Sequence, residues 1–153
     1  MPRNVYSEIH LHMIWRTLNN APVLQDMVET QTHRCLTHKA LQTDGVIVHE
    51  VGGIEDHVHM AVTIPPTLLI ADWIGKLKGG SSYFINQEIC NRKVLEWQTG
   101  YGVVSFGTKD LPWVIEYIRN QKEHHKYGTA QGRLEAVDRD DDPPYEEKPV
   151  ETG

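Results

Sequence analysis

Residues 56–64 have the sequence DHVHMAVTI, which alternates in polarity and is rich in β-branched side chains. Such a pattern predicts a β-strand, and residues two apart on a strand point to the same face of the sheet. His57 and His59 can therefore direct their imidazoles at one point, which suits a shared metal ion. By itself the pair is also compatible with an ordinary polar sheet face, so the rest of the sequence has to distinguish the two interpretations.

The segments on either side of this strand predict three more strands and three helices. Their expected ranges are a strand over 5–15, a helix over 22–42, a strand over 46–51, a helix over 68–78 that resumes over 81–90 after the glycines at 79–80, a strand over 101–106 and a helix over 110–126. Asp110 is placed to cap the last helix, and Gly128 to end it.

The β-α-β-β-α-β-α order of these elements predicts an α+β fold of the ferredoxin-like type, in which helices pack on an antiparallel sheet. Only a short turn separates the 46–51 strand from the histidine strand, so the two should pair. The histidine strand is then expected inside the sheet, where its side chains have a rigid base.

Negative charge is concentrated toward the end of the sequence. The 153 residues carry a formal net charge of -6, and residues 133–153 alone hold three basic and eight acidic residues. This composition predicts one domain over residues 1–130 and an acidic, flexible tail over residues 131–153. The nearly neutral remainder lacks the strongly basic surface that is typical of extensive duplex binding.

The composition indicates a soluble protein with no membrane segment. It is 39% hydrophobic and 24% charged, and no stretch approaches the ~20 apolar residues of a membrane span. The first residues lack the apolar core of a signal peptide. Cys35 and Cys90 are the only cysteines and form no Cys-x-x-Cys motif. We therefore expect buried free thiols and a cytoplasmic location.

The last predicted helix carries a second group of polar residues on one face. Tyr117 and Gln121 are four residues apart, and His124 falls on the same stripe. A phenol next to a metal site can attack a phosphodiester, and a carboxamide oxygen can serve as a metal ligand. On the helix alone, a half-buried packing tyrosine beside a solvated glutamine is the simpler interpretation.

Four motifs together resemble the single-tyrosine transposases of the HUH endonuclease superfamily, which mobilise small bacterial insertion sequences. The motifs are HVH at 57–59, WQTGYG at 97–102, YIRNQ at 117–121 and EHH at 123–125. Their order and spacing match the family, and the resemblance extends over about residues 5–126. A domesticated, repeat-associated tyrosine transposase is a related possibility within the same superfamily.

The resemblance implies a metal-dependent enzyme that cleaves and rejoins single-stranded DNA. Tyr117 would be the nucleophile and form a 5′-phosphotyrosine, while His57, His59 and Gln121 would bind a divalent ion, magnesium or manganese. The substrate would carry subterminal hairpins. Family members are homodimers, in which the tyrosine helix of one subunit can complete the metal site of the other.

Several other residues are candidates for supporting roles. Lysines and hydroxyls near exposed backbone amides can hold phosphates, and aromatic rings can stack on unpaired bases. The expected DNA-binding residues are Lys76, Lys78, Ser81 and Tyr101. The residues expected to orient the metal ligands are His12, Asp56 and His124. His10 and His12 form a second His-x-His pair, which is a rival metal site on spacing alone.

Two other functions stay open on the sequence. One is a domesticated relative that binds or nicks single-stranded DNA for its host. The other is a non-catalytic module that binds single-stranded nucleic acid and uses its histidines only for structure. A covalent protein–DNA adduct would exclude the non-catalytic module, and excision of a flanked element would exclude the domesticated nickase.

Overall fold

The structure is a computed structural model that describes residues 5–137. Those residues form four strands and five helices, joined by short helical turns. The strands are β1 (Ile9–Arg16), β2 (Ile47–Ile54), β3 (His57–Ile64) and β4 (Gly102–Phe106). The helices are α1 (Asp26–Leu41), α2 (Ile70–Tyr83), α3 (Leu111–Arg119), α4 (Gln121–Tyr127) and α5 (Gly132–Glu135). Within the described part of the chain, no helix is long and apolar enough to cross a membrane.

The four strands form one antiparallel sheet in the order β2-β3-β1-β4. This arrangement confirms the predicted α+β fold, and β3 lies inside the sheet as expected. The first strand of the chain is also internal, because it pairs with both β3 and β4. The backbone of the two central strands is therefore hydrogen-bonded on both sides, which gives their side chains fixed directions.

The sheet has one apolar face and one face rich in histidine. Alternate residues of the two central strands pack with α1 and α2 to form the main core, and they include Leu11, Met13, Trp15, Val58, Met60 and Val62. The intervening residues point to the other face. There His12 pairs with Ala61, and Ile14 pairs with His59. Helix α3 covers part of this second face by packing Val114 and Ile118 against Ala61.

Two glycines let the backbone of later segments approach this second face. A Cβ on Gly52 of β2 would lie 2.6 Å from the carbonyl oxygen of Ile118 in α3. A Cβ on Gly102 of β4 would lie 1.9 Å from the carbonyl oxygen of Ala136, just after α5. Neither distance is sterically possible, so a residue without a side chain is needed at both positions.

Helix α2 differs from its prediction. It runs without a break through residues 79–80 and ends at Tyr83, where a π-helical turn (Phe84–Ile89) follows. A glycine inside a helix costs about 1 kcal/mol relative to alanine. Burial of Leu77 before the glycines, and of Ser81 and Ile85 after them, holds both halves of this segment against the rest of the protein. Tertiary packing thus overrides the local preference.

The last predicted helix is two helices, which meet at Asn120. The backbone of Asn120 (φ -100°, ψ 24°) is not helical, so α3 ends at Arg119 and α4 begins at Gln121. Asp110 makes no side-chain hydrogen bond to the start of α3. Gly128 ends α4 in the left-handed conformation, as predicted.

The packed part of the chain reaches beyond the expected boundary at residue 130. Helix α5 contacts β1 and β4, and Leu134 is buried. Arg16 Nη2 donates a 2.8 Å hydrogen bond to the carbonyl oxygen of Glu135, and Arg133 Nη2 donates one of 2.9 Å to that of Ser105. Residues 131–137 are therefore docked on the sheet, whereas the rest of the predicted acidic tail lies outside the described residues.

Candidate active site

Three histidines and one glutamate converge on the histidine-rich face of the sheet. They are His57 and His59 of β3, His125 of α4 and Glu135 of α5. Each offers one ligand atom, and these four atoms all lie within 4.8 Å of one another. Such a group can bind a metal ion, because imidazole nitrogens and carboxylate oxygens are common ligands of divalent ions.

His57 is oriented by the residue that precedes it. Its Nδ1 donates a 2.7 Å hydrogen bond to Asp56 Oδ1, which directs Nε2 into the cluster. There Nε2 lies 3.2 Å from Gln121 Oε1 and 3.2 Å from Glu135 Oε1. A carboxylate that accepts a hydrogen bond from one ring nitrogen fixes the imidazole and raises the basicity of the other nitrogen. This arrangement is common at metal-binding histidines.

His59 provides a direct test of whether the site fits a metal ion. Its Nδ1 shares a 2.7 Å hydrogen bond with His12 Nε2, so Nε2 is left to face the cluster. This Nε2 is buried without a hydrogen-bond partner, although Glu135 Oε1 is 3.3 Å away. A buried ring nitrogen without a hydrogen-bond partner destabilises the fold unless a donor, an acceptor or a metal ion binds to it. A divalent ion would satisfy it.

Gln121 and His125 reach the cluster from the same face of α4. They are four residues apart, and His125 Nε2 donates to Gln121 Oε1 and to Glu135 Oε1, each at 3.0 Å. His124 takes a different position, stacked on the Tyr117 ring at 4.7 Å between centroids, with its Nδ1 bonded to Thr129. His125 is therefore nearer to the predicted ligands than His124, which instead contacts Tyr117.

Tyr117 lies on α3, with its ring held between two other rings. Trp113 stacks on it at 5.4 Å between centroids, and His124 stacks on it at 4.7 Å. The Tyr117 hydroxyl donates to Glu135 Oε2 and accepts a 2.8 Å hydrogen bond from the backbone N–H of Gln131. The phenol is thus buried, and its oxygen is fixed beside the histidine cluster.

The pKa values of the cluster differ widely between neighbouring groups. Burial alone would lower the pKa of His57, but hydrogen bonds to Asp56 and Glu135 outweigh it and raise the pKa to about 9. Burial dominates at His59 and lowers its pKa to about 4. At Glu135, burial is outweighed by the contacts with His57 and His59, which hold its pKa well below the usual range. A proton on His57 therefore balances the Glu135 charge when no ion is bound.

The nucleophilicity of Tyr117 is low in the same arrangement. Burial and the hydrogen bond to Glu135 raise the pKa of its hydroxyl well above the usual range. The phenol is therefore protonated at neutral pH, and positive charge brought near it would lower its pKa and make it a better nucleophile.

The four residues expected to bind DNA belong to the opposite side of the sheet. Lys78 Nζ donates to the carbonyl oxygens of Gln98 (2.7 Å) and Gly100 (2.9 Å). Ser81 is fully buried and accepts a hydrogen bond from Trp97. Tyr101 packs against the main core. Among the four, Lys76 alone has an exposed side chain with no hydrogen bond or ion pair in the described part of the chain.

The rival His-x-His pair does not form a second cluster among residues 5–137. His12 Nε2 shares its hydrogen bond with His59 Nδ1. His10 instead shares hydrogen bonds with the hydroxyls of Thr63 (2.7 Å) and Thr108 (2.9 Å) and stacks on Phe106. Its ring nitrogens are therefore both occupied by protein groups.

Sequence reasoning assigned no metal-binding role to two members of the cluster, although His125 belongs to the EHH motif at 123–125. His125 follows Gln121 by four residues, and that helical spacing would have been the signal for it. Glu135 stands in an acidic stretch and gives no such signal, because its position depends on α5 folding back onto β1. Trp113 was also missed, since an exposed tryptophan four residues before Tyr117 is compatible with simple packing.

Comparison with known families places most of the chain in one group of proteins. Residues 5–121 match the family described as "Transposase IS200 like". The proteins named "Transposase for insertion sequence element IS200" from Salmonella typhimurium and from Salmonella typhi are each 30% identical to this chain over 98 residues. The match covers 61% of this chain and 64% of each relative, so less than two thirds of the relatives' length is represented.

Two solved structures have the same fold. A putative transposase from Deinococcus radiodurans R1 superimposes with a TM-score of 0.63 at 24% identity, covering 79% of this chain and 96% of that chain. A REP-associated tyrosine transposase bound to a REP hairpin superimposes with a TM-score of 0.56 at 16% identity, covering 85% of this chain and 75% of that chain. At these identities the likeness shows a shared fold.

Proposed function

Since the chain belongs to the family of IS200-like transposases, we propose that it cleaves and rejoins single-stranded DNA with Tyr117 as the nucleophile. A divalent metal ion, magnesium or manganese, is the proposed cofactor. The observation that carries the proposal is the position of the Tyr117 hydroxyl. It shares the Glu135 carboxylate with His57 and His59, so the phenol and the metal-binding group lie side by side.

In the proposed cleavage step, Tyr117 Oη forms a bond to a backbone phosphorus, and the bond from that phosphorus to the 3′-oxygen breaks. The phenol proton is released to water, and the departing 3′-oxygen keeps the bonding electron pair and takes up a proton. The products are a 5′-phosphotyrosine and a free 3′-hydroxyl. A 3′-hydroxyl that later attacks the same kind of linkage restores a phosphodiester and returns Tyr117.

The ligands proposed for the ion are His57, His59 and Gln121. When bound, the ion supplies positive charge that polarises the scissile phosphate and stabilises the developing negative charge. Asp56 and His12 orient the two imidazoles from behind. Trp113 and His124 hold the phenol ring between them, which limits the motion of the attacking oxygen.

The proposed substrate is single-stranded DNA with subterminal hairpins. The solved REP-associated transposase was bound to a REP hairpin, which supports this choice. Trp113 is about half exposed and stacks on Tyr117, so its free surface can receive an unpaired base next to the cleaved phosphate. Lys76 is proposed to contact phosphates on the other side of the sheet. We also propose a homodimer, on the family resemblance.

Replacement of Tyr117 by phenylalanine tests the proposed chemistry. Tyr117→Phe should abolish cleavage and leave DNA affinity nearly unchanged, because the ring and its stacking are kept while the attacking atom is lost. The measurement is a denaturing gel after incubation with single-stranded DNA from the region flanking the gene and with Mg²⁺ or Mn²⁺. The parent should form a slowly migrating covalent adduct.

Tyr127→Phe is the matched control, because this tyrosine is exposed on α4 and should not affect the adduct. An adduct formed by Tyr117→Phe at the parent rate would assign the nucleophile to another tyrosine. DNA binding without an adduct in the parent would favour the non-catalytic module instead.

A further inference from the structure

The two carboxylate oxygens of Glu135 face different parts of the site. Oε1 lies 3.2 Å from His57 Nε2, 3.3 Å from His59 Nε2 and 3.0 Å from His125 Nε2. Oε2 accepts the hydrogen bond of the Tyr117 hydroxyl. One side chain therefore touches three imidazoles that point at a common centre and also the proposed nucleophile.

The position of Glu135 is fixed by contacts that do not involve the site. Arg16 holds its backbone carbonyl, and the neighbouring Leu134 is buried against the sheet. Gly102 leaves room for the carbonyl of Ala136. These contacts anchor α5 on β1 and β4, so the backbone of Glu135 is held beside the site by groups other than the histidines.

Both Glu135 and His125 lie outside the region that matches the family, which ends at residue 121. The family match therefore contains His57, His59 and Gln121 but neither of these two groups. Of the two, His125 belongs to the EHH motif at 123–125, whereas Glu135 lies on α5, after all the motifs that resemble the family. A carboxylate would bring negative charge to a set that otherwise consists of two imidazoles and a neutral amide.

We propose that Glu135 is a metal ligand that also positions the nucleophile. One of its oxygens binds the ion together with His57 and His59, and the other holds the Tyr117 hydroxyl. The ion and the phenol are thereby joined through a single side chain carried on α5. This proposal rests on the proposed function, because it uses the same metal site and the same tyrosine.

The consequence is that metal binding and docking of residues 131–137 stabilise each other. An ion that binds Glu135 holds α5 on the sheet, and a docked α5 raises the affinity for the ion. Both effects can be measured without DNA, so they are independent of whether the protein cleaves its proposed substrate.

The test is calorimetric titration of the full chain with Mn²⁺ alone. Glu135→Gln should weaken Mn²⁺ binding about tenfold or more, since it keeps the shape of the side chain but removes the charge of a ligand. Glu135→Asp keeps the charge but shortens the reach, and it should give an intermediate affinity. Glu123→Gln removes an exposed acid from α4 and should bind Mn²⁺ like the parent.

Amide hydrogen exchange provides the second measurement. Mn²⁺ should slow exchange within residues 131–137 of the parent and should leave it unchanged in Glu135→Gln. Equal Mn²⁺ affinity for the parent and Glu135→Gln would overturn the proposal while leaving the proposed function intact. Absence of any Mn²⁺ binding by the parent would overturn both.

Discussion

At the scale of single residues, the site depends on partners that turn each imidazole toward the cluster. Asp56 fixes His57, and His12 fixes His59. The pKa values of the two histidines nevertheless shift in opposite directions. His57 sits between two carboxylates, while the buried His59 has a ring nitrogen without a hydrogen-bond partner. The same strand thus presents one protonated and one neutral imidazole when no ion is bound.

This difference predicts how the stability of the metal-free protein changes with pH. His57 has a pKa of about 9 in the folded state, above its unfolded value of about 6.5, so its contribution is lost as pH rises through 9. His59 has a folded pKa of about 4, so stability is lost as pH falls from about 6.5 toward 4. Stability should be greatest near pH 6.5 and fall on each side by roughly 1–3 kcal/mol.

Urea denaturation in the presence of a chelator, at intervals from pH 4 to pH 9.5, measures this profile. His57→Gln should remove the decline on the alkaline side and leave the decline on the acidic side. A parent protein with constant stability between pH 6.5 and pH 9 would show that His57 does not hold a proton in the folded state.

The sequence was informative about these residues to different degrees. Strand alternation brought His57 and His59 to one face, and family resemblance added Tyr117 and Gln121. Glu135 could not be predicted, because an acid within an acidic stretch is usually solvated. Its place is set by a contact with Arg16, which is 119 positions away in the chain.

At the scale of elements, the site is assembled where α3, α4 and α5 meet one face of the sheet. The order of strands and helices followed from periodicity and turn residues. The continuity of α2 and the break at Asn120 did not, because both depend on what each segment packs against. His125, and not His124, joins the cluster, because it lies four residues after Gln121 on the same face of α4.

Substitution of Gly52 tests how closely α3 must approach the sheet. Gly52→Ala should destabilise the protein by about 1–3 kcal/mol, because its Cβ would overlap the backbone carbonyl of Ile118. The displaced α3 would also carry Tyr117 away from His59, so adduct formation should fall. Urea denaturation and the adduct gel measure the two effects.

Gly79→Ala is the matched control, since nothing lies within 4 Å of a Cβ at that position in α2. It should stabilise the protein by about 0.5–1 kcal/mol, through the higher helix propensity of alanine. Equal stability of Gly52→Ala and the parent would show that the Ile118 carbonyl in α3 does not approach β2 this closely.

At the scale of the whole molecule, the negative charge that would repel the proposed DNA substrate is concentrated in one part of the sequence. Residues 138–153 hold seven acidic and two basic residues, a formal charge of -5, while the chain as a whole carries -6. This leaves -1 for residues 1–137. Long-range repulsion between the protein and DNA therefore comes mainly from the last sixteen residues of the sequence.

Two truncations separate this charge effect from a structural one. A chain ending at Val137 should keep its thermal stability and bind single-stranded DNA more tightly at low salt, and the gain should shrink as ionic strength rises. A chain ending at Ala130 should lose stability by several degrees, because it lacks the buried Leu134 and the contact with Arg16. Equal melting temperatures would contradict the docking of α5.

The contact between Arg16 and Glu135 also has a consequence for the synthesis of the protein. A ribosome releases β1 first, yet both strands that pair with β1 and the carboxylate that joins the cluster emerge much later. A nascent chain that already contains His57 and His59 therefore still lacks the other members of the cluster. Translation that stops before α5 yields a polypeptide with the tyrosine but without the glutamate beside it. The proposed metal-binding group is therefore complete only after synthesis has passed α5.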